Sequence, residues 1–206
     1  MNKLLHKNMD QEKDTHTKTD TQDEILLAAL KLFAEKGYFN TSLTDIAEAA
    51  GIKTAGAIYH HFKHKQMIAT ALYANILDSL NISIDEIRRK NSKPSEQLHG
   101  IVDLFFKLTD DAPAIMQFLL MLKINEFLPE AKPLLETAAF IKILKIFRAG
   151  ITEGEIRNID PLLAQTYFFG IIHNTLRMVL TGTLDKKAES YLSQTWLIAW
   201  NAIVKK

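Results

Sequence analysis

Cysteine is absent from this chain of 206 residues. Its absence excludes disulfide bonds, thiol catalysis and cysteine-based zinc sites, and it is compatible with a reducing compartment. A surplus of charge is absent too, because 25 Lys and Arg residues are balanced by 24 Asp and Glu residues, for a net charge of +1. Any affinity for a polyanion must therefore come from a local basic patch and not from the field of the whole molecule.

Long apolar runs are also missing. The longest lie near residues 115–122 and 167–172, and both are shorter than the roughly 20 residues that a membrane-spanning helix needs. The N-terminal residues lack the apolar centre of a signal peptide. Hydrophobic residues make up 47% of the chain, which is ample for a core. We therefore expect a soluble, cytoplasmic protein that does not bind a membrane.

Little in the chain resembles a catalytic or metal-binding site. It has no nucleophile elbow and no glycine-rich phosphate loop, and its carboxylates are scattered along predicted solvent faces. His60 and His64 are four residues apart, but no third ligand lies nearby, so we expect neither a metal nor a cofactor. We expect no enzyme, because a lone histidine on an apolar helix is usually a core residue. An α-helical enzyme that uses His173 and Arg177 is the alternative.

Apolar residues recur at helical spacing over most of the chain, and no segment alternates as a strand does. Capping-box pairs, Thr21 with Glu24 and Ser42 with Asp45, indicate two helix starts. Residues 1–20 have no periodic apolar face, and we interpret them as a disordered arm. We predict an all-α fold of about nine helices, near residues 21–36, 42–50, 54–62, 65–90, 95–109, 113–122, 133–150, 161–180 and 185–203.

Residues 42–65 carry the most specific pattern, a short helix, a turn at Gly51, a second short helix and a basic exit. No acidic residue occurs between Glu48 and Asp78, whereas lysine and histidine are frequent there. This is the helix-turn-helix pattern, which presents its second helix to the major groove of DNA. The N-terminal arm would then have a minor-groove role as an alternative to disorder. Candidate DNA contacts, chosen for a polar group or a small side chain, are Thr44, Lys53, Thr54, Ala55, Gly56, Ala57, Tyr59, His60, His61 and Lys65.

Residues 27–65 resemble the DNA-binding domain of the tetracycline-repressor (TetR) family. This chain has seven residues between Gly51 and Tyr59, one more than the commoner family pattern. The turn or the recognition helix is therefore one residue longer. The resemblance rests on an ordered set of residues, namely Ala29, Phe33, Gly37, Tyr38, Thr41, Ser42, Asp45, Ile46, Ala47, Ala50, Gly51, Ile52, Ile58, Tyr59, His61, Phe62 and Lys65.

The resemblance implies a three-helix DNA-binding domain at residues 21–65 and a larger helical domain for ligand binding and dimerisation at residues 66–206. It implies a transcriptional repressor that leaves a palindromic double-stranded operator when a small molecule binds. The middle helices are rich in Phe, Met and Leu, which favours an apolar effector. A dimeric DNA-binding protein that binds no ligand is the alternative. Candidate ligand-binding residues are Phe105, Phe106, Met116, Met121, Phe140, Phe147, His173 and Arg177.

A homodimer is expected to form through the last two long helices. Trp196 and Trp200 are four residues apart and share a helix face with Ile203. The preceding helix offers further apolar side chains. The predicted dimer interface consists of Phe168, Ile172, Val179, Trp196, Trp200 and Ile203.

Overall fold

The structure is a computed structural model that describes residues 18–206, with the side chains of residues 18–20 and 55 left undescribed. Over these residues the chain forms ten α-helices and one 3-10 turn at Leu134–Glu136. One isolated antiparallel bridge joins Ile156 and Val204, and residues 18–206 contain no strand. The predicted all-α class is confirmed. The helices are α1 (Lys18–Lys36), α2 (Leu43–Ala49), α3 (Ala55–Ile58), α4 (Lys65–Lys90), α5 (Pro94–Asp111), α6 (Pro113–Leu120), α7 (Ile124–Phe127), α8 (Ala138–Thr152), α9 (Pro161–Leu180) and α10 (Glu189–Asn201).

Helix α2 begins where the sequence predicted, because the Ser42–Asp45 capping box forms. The Asp45 backbone N–H donates to the Ser42 hydroxyl over 3.0 Å, and the Ser42 backbone N–H donates to the Asp45 carboxylate over 2.7 Å. The Ser42 hydroxyl also donates to this carboxylate over 2.8 Å, and the two bonds that the carboxylate accepts, the one from the Ser42 backbone first, lower the pKa of Asp45. The helix ends at Gly51, whose φ of 69° is the left-handed conformation predicted for the turn.

Other helix ends differ from the prediction. Helix α1 begins at Lys18, so Thr21 lies inside the helix and does not cap it. The rest of the predicted arm, residues 1–17, lies outside the described residues. Helix α10 begins at Glu189 and not near residue 185. Its N-terminus is set by a remote carboxylate, because the backbone N–H groups of Ala188 and Glu189 donate to Asp110.

The chain divides into two compact units, which we call the head and the body. The head comprises the described residues up to Ser79 and the segment Leu122–Ala131, and the body comprises Leu80–Met121 and Lys132–Lys206. Helix α4 begins in the head and ends in the body. The short segment that contains α7 belongs to the head, although the chain on both sides of it belongs to the body.

The core of the head is formed by apolar faces of its first helices. Ile25, Ala29 and Phe33 of α1 are fully buried, as are Ile46 of α2 and Ile58 of α3. These residues follow the spacing that the sequence predicted for one inward face per helix. Burial of this face fixes the opposite sides of α2 and α3 towards solvent.

Helix α4 is the one helix of the described residues that is long and apolar enough, by length and composition alone, to cross a membrane. Polar residues interrupt its apolar ones, so the helix contains no long continuous apolar run. Its apolar residues form a buried stripe, because Ile68, Leu72, Ile76, Leu80 and Ile84 are each at most 3% exposed. A stripe buried inside a protein is typical of a core helix.

Lys65, the first residue of α4, connects this helix to the loop between α1 and α2 through its ammonium group. Lys65 Nζ donates to the backbone carbonyls of Tyr38, over 2.7 Å, and Thr41, over 2.6 Å. It also lies 4.2 Å from the centroid of the Tyr38 ring, a cation–π distance. Burial lowers the pKa of Lys65. The Tyr38 ring stacks on Phe127 of α7, with centroids 4.3 Å apart, and Gln66 Nε2 donates to the Phe127 carbonyl over 3.1 Å.

Replacing Lys65 should therefore destabilise the head. Lys65→Met keeps the apolar stem but removes the donor to two carbonyls, and we expect a loss of about 1–2 kcal/mol in the free energy of unfolding. Urea unfolding followed by circular dichroism measures this loss. Lys63→Met is the matched control, because Lys63 is exposed. Equal unfolding midpoints for the two variants would contradict the structural role of Lys65.

Candidate functional site

The outer face of the helix-turn-helix is polar and basic. Ile58 and Phe62 point into the head core, at 0% and 3% exposure, whereas Tyr59 is 57% exposed and His60 is exposed. Phe62 is therefore a core residue of the head. The side chains around α3 therefore form a face on which hydroxyl and imidazole groups reach solvent, as phosphate contact requires.

Most of the predicted DNA contacts lie on this exposed face. Thr54 has the backbone conformation of an N-cap, but its side chain makes no capping hydrogen bond. Ala57 is half-buried, and the side chain of Ala55 lies outside the description. Lys63 and His64, which follow α3, are exposed as well. The predicted contacts whose side chains are exposed, or which lack one in the case of glycine, are Thr44, Lys53, Thr54, Gly56, Tyr59 and His60.

Two predicted DNA contacts, His61 and Lys65, have side chains directed partly into the protein, which the sequence did not reveal. His61 is half-buried, and its Nδ1 is buried without a hydrogen-bond partner among the described residues. The ammonium group of Lys65 donates inwards to two carbonyls. Their assignment to DNA binding stays a prediction, and exposed Lys63, which the sequence analysis did not select, is a better candidate for phosphate contact.

The body contains a buried cluster of aromatic rings that joins α5, α8 and α9. Phe169 lies 5.9 Å from Phe105 and 6.1 Å from Phe147, measured between ring centroids. Phe168 lies 5.6 Å from Phe147. All four rings are at most 4% exposed. We call these four residues the aromatic cluster.

The predicted ligand-binding residues differ in their exposure to solvent. Met121 is 41% exposed and Arg177 is exposed, so neither belongs to the buried part of the body. His173 joins the aromatic cluster, with its ring 5.3 Å from Phe169 and 6.2 Å from Phe105. Those that are buried, as the prediction requires, are Phe105, Phe106, Met116, Phe140 and Phe147.

Three buried polar atoms in the body lack hydrogen-bond partners among the described residues. They are Asn81 Oδ1 on α4, and Gln165 Oε1 and His173 Nε2 on α9. Gln165 is 4% exposed. The sequence analysis selected His173 but missed Gln165, although the spacing of Gln165, Phe169 and His173 by four residues places all three along one side of α9. An unpartnered buried polar group is costly, so each needs an explanation.

An enzymatic use of His173 with Arg177 gains no support from this geometry. Burial lowers the pKa of His173 to about 4, whereas a general base works best with a pKa near the operating pH. Arg177 is exposed. Among the described side chains, no group of three or more His, Asp or Glu residues could hold a metal ion.

The predicted dimer interface is wrong for its buried members. Phe168, Ile172 and Ile203 are fully buried within the protomer, so they cannot form its surface. Trp196 packs inwards, 5.7 Å from Phe168 and 4.7 Å from His99, and stacks on Trp200 at 5.5 Å. Val179 is half-buried.

Other apolar side chains of α9 and α10 are exposed to solvent. Leu163 and Tyr167 of α9 are 44% and 50% exposed, and Leu197 and Ile198 of α10 are 58% and 59% exposed. We call these four residues the outer apolar face. The last two long helices are thus apolar on an inner and an outer side, and the outer side is available for a partner.

Burial of His173 makes the free energy of unfolding depend on pH. The folded protein keeps this imidazole neutral down to about pH 4, whereas the unfolded chain protonates it near its ordinary pKa of 6.5. Stability should fall as the pH drops from 6.5 towards 4, by roughly 3 kcal/mol in total. His173→Phe should lack this component. The measurement is urea unfolding of both proteins across that range, and a constant difference between them would contradict the burial of a neutral ring.

Comparison with known proteins places the chain among bacterial regulators. Residues 25–72 match the model of the tetR family of bacterial regulatory proteins. The transcriptional repressor KstR2 of Rhodococcus jostii is 29% identical over 198 residues, which cover 87% of this chain and 91% of that protein. The fatty acid metabolism regulator protein of Bacillus subtilis is 30% identical over 165 residues, which cover 74% and 80% respectively.

A solved structure gives the same result for the fold. FadR from Bacillus subtilis in complex with stearoyl-CoA matches with a TM-score of 0.73 at 23% identity, and the match covers 88% of this chain and 98% of that one. The predicted family is confirmed by the family model and by the relative at 30% identity. The helix-turn-helix lies within the residues that match the family model. The protein is a DNA-binding transcriptional regulator that belongs to the TetR family.

Proposed function

We propose that this regulator is a homodimeric repressor that binds a palindromic DNA operator and releases it when a largely apolar small molecule enters the body. The aromatic cluster, together with the unpartnered polar atoms Gln165 Oε1 and His173 Nε2 on α9, carries the proposal. A core that needed only to fold would be more stable without these atoms, so a bound molecule that satisfies them explains their presence.

Similarity to a regulator of fatty acid metabolism supports an effector with a long apolar part. One relative is a regulator of fatty acid metabolism, and FadR was crystallised with stearoyl-CoA. The aromatic cluster of this chain offers apolar surface of the kind that an acyl chain or a fused ring system buries. We therefore assign the aromatic cluster to the effector site. We also place the protein in the cytoplasm, because a transcriptional regulator must reach its DNA operator in that compartment.

The exposed face around α3 is the proposed DNA-binding surface. Lys53, His60, Lys63 and His64 supply donors to phosphate oxygens, and the Tyr59 hydroxyl lies among them. Gly56 and Ala57 offer little bulk, which permits close approach of the backbone to base edges, and a methyl group can contact thymine. The face is local, which agrees with the net charge of +1 for the whole chain.

Release of DNA requires that the effector bind one state of the protein more tightly than another. A tenfold loss of operator affinity corresponds to about 1.4 kcal/mol of differential binding. Two covalent routes lead from the body to the head, namely α4 and the segment Leu122–Ala131. The second route ends on the Tyr38–Phe127 stack, beside the loop from which α2 starts.

The experiment has two stages. Selection from random oligonucleotides identifies the operator, and fluorescence anisotropy of that operator then follows its release by candidate effectors. Acyl-CoA esters of different chain length and fused-ring compounds are the first candidates. We expect at least one compound both to raise the melting temperature of the free protein and to release the DNA. Compounds that bind but never release DNA would favour the ligand-independent alternative.

Contact of Lys63 with a phosphate is tested by the salt dependence of operator binding. Lys63→Ala should weaken binding to all sequences and should lower the slope of log K against log salt by about 0.9. Lys145→Ala is the matched control, because Lys145 is exposed on α8 of the body. An unchanged affinity and slope for Lys63→Ala would remove this residue from the DNA-binding surface.

Dimerisation through the outer apolar face is tested with two matched variants. Ile198→Asp should yield a monomer, because it places a charge in the proposed interface. Ile82→Asp should remain a dimer, because Ile82 is equally exposed, at 59%, but lies on α4. Light scattering at micromolar concentration separates a dimer from the 23.4 kDa monomer. A dimer that survives Ile198→Asp would contradict this face.

A further inference from the structure

The effector site contains a polar feature that the apolar cluster alone does not explain. Gln165, Phe169 and His173 follow one another every four residues along the inner side of α9. The first and the last each present a buried polar atom without a partner among the described residues. The residue between them is a ring of the aromatic cluster, which lies 5.3 Å from the His173 ring.

The chemistry of the two atoms restricts what can satisfy them. The Gln165 amide oxygen only accepts hydrogen bonds, so its partner must be a donor. Nε2 of a neutral imidazole accepts or donates according to the tautomer. A hydroxyl group has both abilities, because it offers one hydrogen and two lone pairs. A keto group could not satisfy Gln165.

The charge of the surroundings restricts the ligand further. The rings that contact His173, Phe105 and Phe169, are uncharged, and Arg177 one turn further along α9 is exposed. A carboxylate or phosphate placed here would have no cation to neutralise it, and burial of an unpaired charge is prohibitive. The depressed pKa of His173 also indicates a site that does not hold an imidazolium at neutral pH.

We propose that Gln165 and His173 form a hydrogen-bonding anchor of two separate points in the effector site, about 12 Å apart along α9, and that each point selects an uncharged hydroxyl group on an apolar skeleton. This anchor rests on the proposed effector site and adds the class of ligand to it. A charged headgroup, if the effector has one, binds elsewhere.

The test compares two probes of the same shape. 2-Naphthol carries a hydroxyl where 2-methylnaphthalene carries a methyl group, and both are small enough to contact the aromatic cluster. Calorimetry on the free dimer should show at least about tenfold tighter binding of 2-naphthol, as expected when a buried acceptor gains its donor. Because one hydroxyl can reach only one of the two points, either Gln165→Leu or His173→Phe should abolish most of that preference, and both variants should bind 2-methylnaphthalene as the wild type does.

Stability of the free variants separates a ligand anchor from a structural role. Both substitutions remove a buried polar atom and keep the bulk, so the melting temperature should stay the same or rise. Thr166→Val, next to Gln165 but exposed, is the matched control and should change neither binding nor melting. A fall in melting temperature for Gln165→Leu would mean that the amide has an internal partner, which overturns the anchor.

Equal affinity for the two probes, no binding of either, or an unchanged preference in both variants would also overturn the anchor. Ordered water on each of the two atoms would produce the first of these results, since it satisfies them without the ligand. The proposed function fails separately. If an effector without a hydroxyl group releases the operator, the anchor is contradicted but the proposed repressor function stands. If 2-naphthol is preferred but no compound releases the operator, the proposed repressor function is contradicted but the anchor stands.

Discussion

The ammonium group of Lys65 is the constraint on which the geometry of the head depends. It is the first residue of α4, and it donates to the carbonyls of Tyr38 and Thr41, which lie in the loop between α1 and α2. One side chain therefore fixes the start of the long helix against the start of the helix-turn-helix. The Tyr38 ring continues this arrangement by stacking on Phe127. Three separate parts of the chain therefore meet at this one aromatic ring.

Local signals in the sequence predicted the head well. The capping box at Ser42, the left-handed Gly51 and the buried Ile58 and Phe62 all depend on residues within a few positions of one another. The family pattern consists of the same short-range features, which is why it was recognisable. Interactions between distant residues left no such trace. Lys65 bonds with carbonyls 27 and 24 residues away, and Asp110 caps a helix 78 residues away, through backbone groups that every residue carries.

The dimer interface and the effector anchor show a second limit of periodicity. Helices α9 and α10 are apolar on two sides, and spacing identifies each stripe without telling which one faces the protomer's own core. Phe168 and Ile172 are buried in the core of the protomer, whereas Leu163 and Tyr167 are exposed to solvent. Gln165 was missed for the opposite reason. A polar residue in a helix is normally assigned to solvent, and only the buried position of its oxygen reveals it as an exception.

The head is not formed by one continuous segment of the chain, which limits how it can be transferred to another protein. The chain passes between the two units three times, after Ser79, Met121 and Ala131. A gene fragment that stops at Ser79 would encode the whole helix-turn-helix but would omit Phe127. The stacking face of Tyr38 and the amide of Gln66 would then lose the partners they have in the full chain. Exchange of DNA-binding specificity between such regulators, by recombination or in the laboratory, therefore has to transplant two stretches of sequence together, or match the ring at position 127 to the incoming head.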